Sequence, residues 1–69
     1  MKIDTSKYES KHGKVPERSR WHFLMQRRIQ GNGFSQESVF YDLTGWDKAV
    51  KSIQRKAKNY EAEIIILEP

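Results

Sequence analysis

The chain contains no cysteine, and only two prolines and four glycines occur among its 69 residues. Without a thiol there is neither a disulfide nor a thiolate-held zinc to staple a small fold, so side-chain packing must hold it. Long apolar runs are missing too. The unbroken stretch Ile64-Ile65-Ile66-Leu67 falls far short of the ~20 residues that cross a bilayer. The opening Met-Lys-Ile-Asp-Thr-Ser has no apolar centre of the kind a signal peptide carries. A cytoplasmic location with no membrane partner is therefore expected.

The residues of familiar chemistry are equally scarce. His12 and His22 are the only histidines, and their separation matches no recognised metal-ligand spacing. No serine, histidine or carboxylate pair stands in a setting diagnostic of nucleophilic or acid–base catalysis. Arg27-Arg28-Ile29-Gln30-Gly31-Asn32-Gly33 lacks the lysine and the following helix of a phosphate-cradling loop, and reads as a hairpin turn beside two cations. The expectation is a non-enzymatic protein with no cofactor, no metal and no small-molecule substrate.

What the chain has is enough for one small domain. A hydrophobic content of 36% with 12% aromatics is low but sufficient for a globular unit. At this size, marginal stability or support from a partner subunit is the ordinary condition. The net charge of +4 is unevenly spread. Lys2, Lys7, Lys11, Lys14, Arg18 and Arg20 face only Asp4, Glu9 and Glu17 in residues 1–20, and the remainder is nearly balanced. Residues 1–19 are polar, basic and without sustained periodicity, and read as an N-terminal arm, flexible or docked through Tyr8 and Val15.

Residues 20–69 read as an α+β domain of ββαβ order. Residues 20–29 alternate, with Trp21, Phe23 and Met25 on one face and His22, Leu24 and Gln26 on the other, which predicts a strand. Gly31-Asn32-Gly33 supplies a reversal that Ser35-Gln36-Glu37 prolongs. A second strand over residues 38–43 sets Val39, Tyr41 and Leu43 against Phe40 and Asp42. Thr44 and Asp47 have the spacing of a capping pair at a helix start, and Asn59 marks a stop. Residues 63–69 give a third strand. A right-handed crossover places it beside the first strand, in sheet order 2-1-3.

The helix of residues 45–60 has two separable faces. At roughly 100° per residue, Trp46, Ala49, Val50, Ile53, Ala57 and Tyr60 form one apolar stripe, and Lys48, Lys51, Arg55 and Lys58 lie opposite. No acid falls between Lys48 and Lys58. Such a row offers a polyanion a rigid electrostatic surface, and Arg27 and Arg28 could extend it. One helix covers one sheet face, so His22, Leu24 and Phe40 are left on an open face too apolar to stand in water unused. Nucleic acid is the first expected partner. The alternative is a protein-interaction module or homodimer, an accessory or inhibitory protein of a mobile element, that uses the open face.

Lys7-Tyr8-Glu9, His12-Gly13-Lys14 and Pro16, then Trp21 and Phe23, the Thr44-Gly45-Trp46 helix start and the closing apolar strand resemble short uncharacterised reading frames of bacteria, phages and plasmids. This likeness spans nearly the whole chain and implies no particular activity. The hairpin followed by a basic helix also resembles the arm-type DNA-binding domains of phage integrases, which implies contact with DNA.

Overall fold

Ala49, Ile53 and Ala57 recur at helical spacing and are buried to 0, 0 and 1% exposure, which fixes the phase of the main helix, α2 (Trp46–Tyr60). They pack on one face of a sheet, against Trp21, Phe23 and Met25 of β2 (Arg18–Arg28), Val39 of β3 (Phe34–Gly45) and Ile65 and Leu67 of β4 (Ile64–Glu68). The structure, a computed structural model, describes residues 2–69. β2 pairs antiparallel with both β3 and β4. The three strands therefore lie in the order expected from the crossover argument, with β4 running in the same direction as β3.

The expected domain of three strands and one helix is incomplete. The sheet has four strands in the order β1-β4-β2-β3, and a second helix is present. Both additions come from residues that read as an arm: β1 (Ile3–Asp4) and α1 (Ser6–His12). β1 pairs parallel with β4, setting Ile3 beside Ile65. At the corner that follows, the Ser6 amide and hydroxyl donate to the Asp4 carboxylate at 3.0 and 2.7 Å. Ile3, Tyr8 and Val15 pack against the core, and the Tyr8 ring lies 6.1 Å from that of Trp21. β4 is thus an interior strand, although only Ile65 and Leu67 of its apolar run are fully buried.

Three local readings are corrected. β3 begins at Phe34, because the Ile29 amide donates to the Gly33 carbonyl at 3.2 Å and closes a tight turn, with Gly31 at φ 98°. Residues 35–37 are therefore strand, and the loop they were expected to prolong is absent. Leu43, expected on the same face as Val39 and Tyr41, against the helix, is 57% exposed. Between Ser19↔Thr44 and Trp21↔Tyr41 the register shifts, so β3 carries an extra residue there, and a bulge turns the side chains beyond Tyr41 out of phase. Thr44 is not the helix cap. Its hydroxyl donates to the Asp42 carbonyl at 2.6 Å, Gly45 occupies the cap position, and the Trp46 amide donates to the Glu17 carbonyl at 2.7 Å. At the other end α2 runs past Asn59 to a left-handed Glu61 (φ 61°), where the Ala62 amide donates to the Ala57 carbonyl at 2.8 Å in the manner of a Schellman closure.

Two outcomes follow from this packing. Ile53→Ala should lose ~2–5 kcal/mol, the usual cost of an emptied core site, whereas Lys51→Ala should stay within ~0.5 kcal/mol. Similar urea midpoints for the two variants would contradict the helix phase. The hydrogen bonds from Ser6 hold the Asp4 carboxyl below its ordinary pKa of 3.8. The corner is favoured above that value and loosens as pH falls through the lowered one. Trp21 fluorescence in Asp4→Asn should lack this acid step; an identical acid profile would separate the corner from Asp4.

Candidate nucleic-acid interface

The domain presents two dissimilar surfaces on opposite sides of the sheet. On the helix side, Lys48, Lys51, Arg55 and Lys58 are all exposed, and their position opposite Ala49, Ile53 and Ala57 points them outward. Among the described residues none of the four takes part in an ion pair; Lys7 and Glu68, 4.0 Å apart, form the salt bridge of the structure on the far rim. Lys56 is exposed on the same helix but leans toward β3, where it lines an open groove with Glu37 and Asn59.

Arg27 and Arg28 separate. Arg27 shares the phase of Trp21, Phe23 and Met25 and is half-buried under the end of α2. Its guanidinium donates to the Tyr60 carbonyl at 3.3 Å and lies 4.6 Å from the centre of the Tyr60 ring. The Tyr60 hydroxyl in turn shares a 2.6 Å hydrogen bond with the Ser35 hydroxyl. Arg27 therefore satisfies a terminal helix carbonyl and ties α2 to the hairpin. Arg28 is exposed and stands opposite Phe34 on the other side of the sheet, remote from the lysines of α2.

The open face gathers His22, Leu24 and Phe40. His22 sits directly across from Phe40, their rings 4.2 Å apart and nearly parallel at 17°. Leu24 is half-buried between Ser38 and Ile66, its register partners on the two neighbouring strands. α1 turns its Tyr8 toward Trp21 on the core side and touches this face only at its start, where Lys7 lies 4.0 Å from Glu68, the register partner of His22. Phe34, Leu43 and Ile64 extend the exposed apolar surface, at 63, 57 and 44% exposure. Phe34 lies outside the strand that residues 38–43 predict, because the polar Ser35-Gln36-Glu37 reads as loop. The alternation Phe34, Gln36, Ser38, Phe40 was the signal that could have placed it. His12 lies elsewhere, its ring 4.6 Å from Tyr8 on α1, and among the described residues no group of three or more histidines or carboxylates converges as metal ligands.

The roles assigned to the two arginines are separable by stability. Arg27→Ala should lower the unfolding free energy by about 1–3 kcal/mol through the lost carbonyl and ring contacts, and Arg28→Ala should leave it unchanged. Equal urea midpoints for both would remove Arg27 from the frame of the helix. No protein-family model, no curated protein and no solved structure matches this chain, so its functional reading rests on the geometry.

Proposed function

We propose that the protein is a small non-enzymatic module that binds nucleic acid by laying the outer face of α2 along its phosphates. One observation carries this reading: Lys48, Lys51, Arg55 and Lys58 project from a helix whose opposite face is buried, with no ion pair to any of them among the described residues. Cations left unpaired on a rigid support have their counter-charge supplied from outside the chain. At ~1.5 Å per residue the row is roughly 15 Å long, comparable with the reach across neighbouring phosphates of a duplex that carries one charge per ~1.7 Å of axis. Binding would release condensed counterions, which makes the affinity salt-dependent and largely indifferent to sequence. The exposed basic residues Lys2, Lys11 and Lys14 would add to the long-range attraction.

The open face supports a second reading. Exposure of 63% at Phe34 and 70% at Phe40, beside Leu24 and Ile66, gives an apolar patch of the kind that marks protein contact. In that reading the chain is a protein-interaction module, an accessory or inhibitory protein of a mobile element, and salt affects its binding little.

Affinity for duplex oligonucleotides measured across salt concentrations tells the two apart. Four phosphate contacts give a slope of log affinity against log salt of about −3.6. Charge reversal at both Lys51 and Arg55 should weaken binding to every sequence tested and leave the circular dichroism unchanged. Absence of micromolar affinity at low salt for duplex and single strand alike, or affinity untouched by the double reversal, would overturn the nucleic-acid reading.

A further inference from the structure

We infer that two copies of this chain join through the free edge of β3, antiparallel, with residues 34–40 of one copy laddered to the same residues of the other about a two-fold axis at Glu37.

β3 is an outer strand of the sheet and is 12 residues long. Its sequence, Phe-Ser-Gln-Glu-Ser-Val-Phe-Tyr-Asp-Leu-Thr-Gly, contains no proline, lysine or arginine, the residues that ordinarily guard an edge against pairing. The bulge beyond Tyr41 leaves residues 34–40 in regular register with β2, and within that stretch Glu37 is the one charged side chain. The opposite edge, β1, is only two residues long and needs no such guard.

The hydrogen-bond phase says which groups are free. The Ile29 amide donates to the Gly33 carbonyl, and in an antiparallel ladder hydrogen-bonded pairs recur at every second residue. Continuing through Arg27↔Ser35, Met25↔Glu37 and Phe23↔Val39, the amides and carbonyls of Ser35, Glu37 and Val39 face β2. Those of Phe34, Gln36, Ser38 and Phe40 face outward, and among the described residues no backbone partner within the chain reaches them.

Self-complementarity selects the register. Facing residues must point to the same side of a continuous sheet. Centred on Glu37, the pairing sets Phe34 against Phe40 of the other copy, twice by symmetry, and Gln36 against Ser38. Two exposed phenylalanines on each copy then become two cross-strand aromatic pairs, a favoured combination. Centred on Ser38 instead, Phe40 would meet Gln36 and Phe34 would meet Asp42 at the bulge. On the helix side Glu37 meets its own symmetry mate, a like-charge pair that weakens the contact; Lys56 lines the same groove as Glu37 and offsets this repulsion only if its ammonium turns to the two carboxylates in the dimer. Because the axis stands perpendicular to the sheet, both α2 helices lie on one side and present their basic rows in the same direction.

Sedimentation of the intact protein tests this without any nucleic acid, so its failure is separate from failure of the α2 reading. The wild type should associate to a dimer as concentration rises. Ser38→Pro removes an outward amide, which an edge strand tolerates, and should give a folded monomer by circular dichroism. Phe34→Lys and Phe40→Glu should each be monomeric, and the double variant, which sets opposite charges across both pairs, should dimerise again; this arm decides the matter if the proline variant fails to fold. A wild type that stays monomeric at millimolar concentration, a dimer that survives Ser38→Pro, or a double variant that stays monomeric would each overturn the edge pairing.

Discussion

Trp21 is the side chain on which the rest of the structure depends. It is 2% exposed on the sheet's covered face, beside the bulge, and its indole N–H donates to the Thr44 carbonyl at 2.8 Å. Its ring lies 4.9 Å from Trp46 at the start of α2 and 6.1 Å from Tyr8 on α1. One residue of β2 thus holds the end of β3, the start of the main helix and the N-terminal helix. A buried aromatic contributes through its large area, and the indole N–H needs a partner once it leaves water. Both conditions are met only when β3 passes its bulge and turns into α2 at Gly45. The position of the basic row follows from that junction, because the direction in which α2 leaves the sheet determines where its cations point.

The same constraint divides the surface of the molecule. α2 is locked from its start by Trp21 and Trp46 and at its end by Arg27, Tyr60 and Ser35, so its outer face is a rigid surface with no side chain left over for the core. The far face of the sheet is reached by α1 only through Lys7 at Glu68, and it keeps Phe40 exposed over a half-buried His22. The edge of β3 is a third, separate feature. No helix of the described residues is long and apolar enough to cross a membrane; the apolar material is divided between the core, the open face and the strand edge.

Much of this was legible in the sequence wherever a period repeats. The spacing of Ala49, Ile53 and Ala57 gave the helix phase, and hence the outward set Lys48, Lys51, Arg55 and Lys58. The alternation from Trp21 to Met25 gave the covered and open faces of β2, and would also have put Arg27 on the helix side, since it continues the odd-numbered series. The rest depends on contacts distant in sequence. Two residues of β1 carry no period, and they are strand only because β4 offers an edge. α1 has no buried residue and is held through Tyr8 rather than by a stripe. The bulge that exposes Leu43 arises where Trp21 draws in the Thr44 carbonyl, a tertiary demand that overrides strict alternation. The tight Gly31–Gly33 turn needed fewer residues than its polar neighbours suggested, which returned Phe34 to the strand.

The direct test of the account is a backbone amide NMR titration of the intact protein with a short duplex of mixed sequence. Shift changes concentrated at Lys48, Lys51, Arg55 and Lys58, with His22, Leu24, Arg28 and Phe40 unmoved, are the expected result. Changes confined to the open sheet face, with the amides of α2 silent, would contradict it.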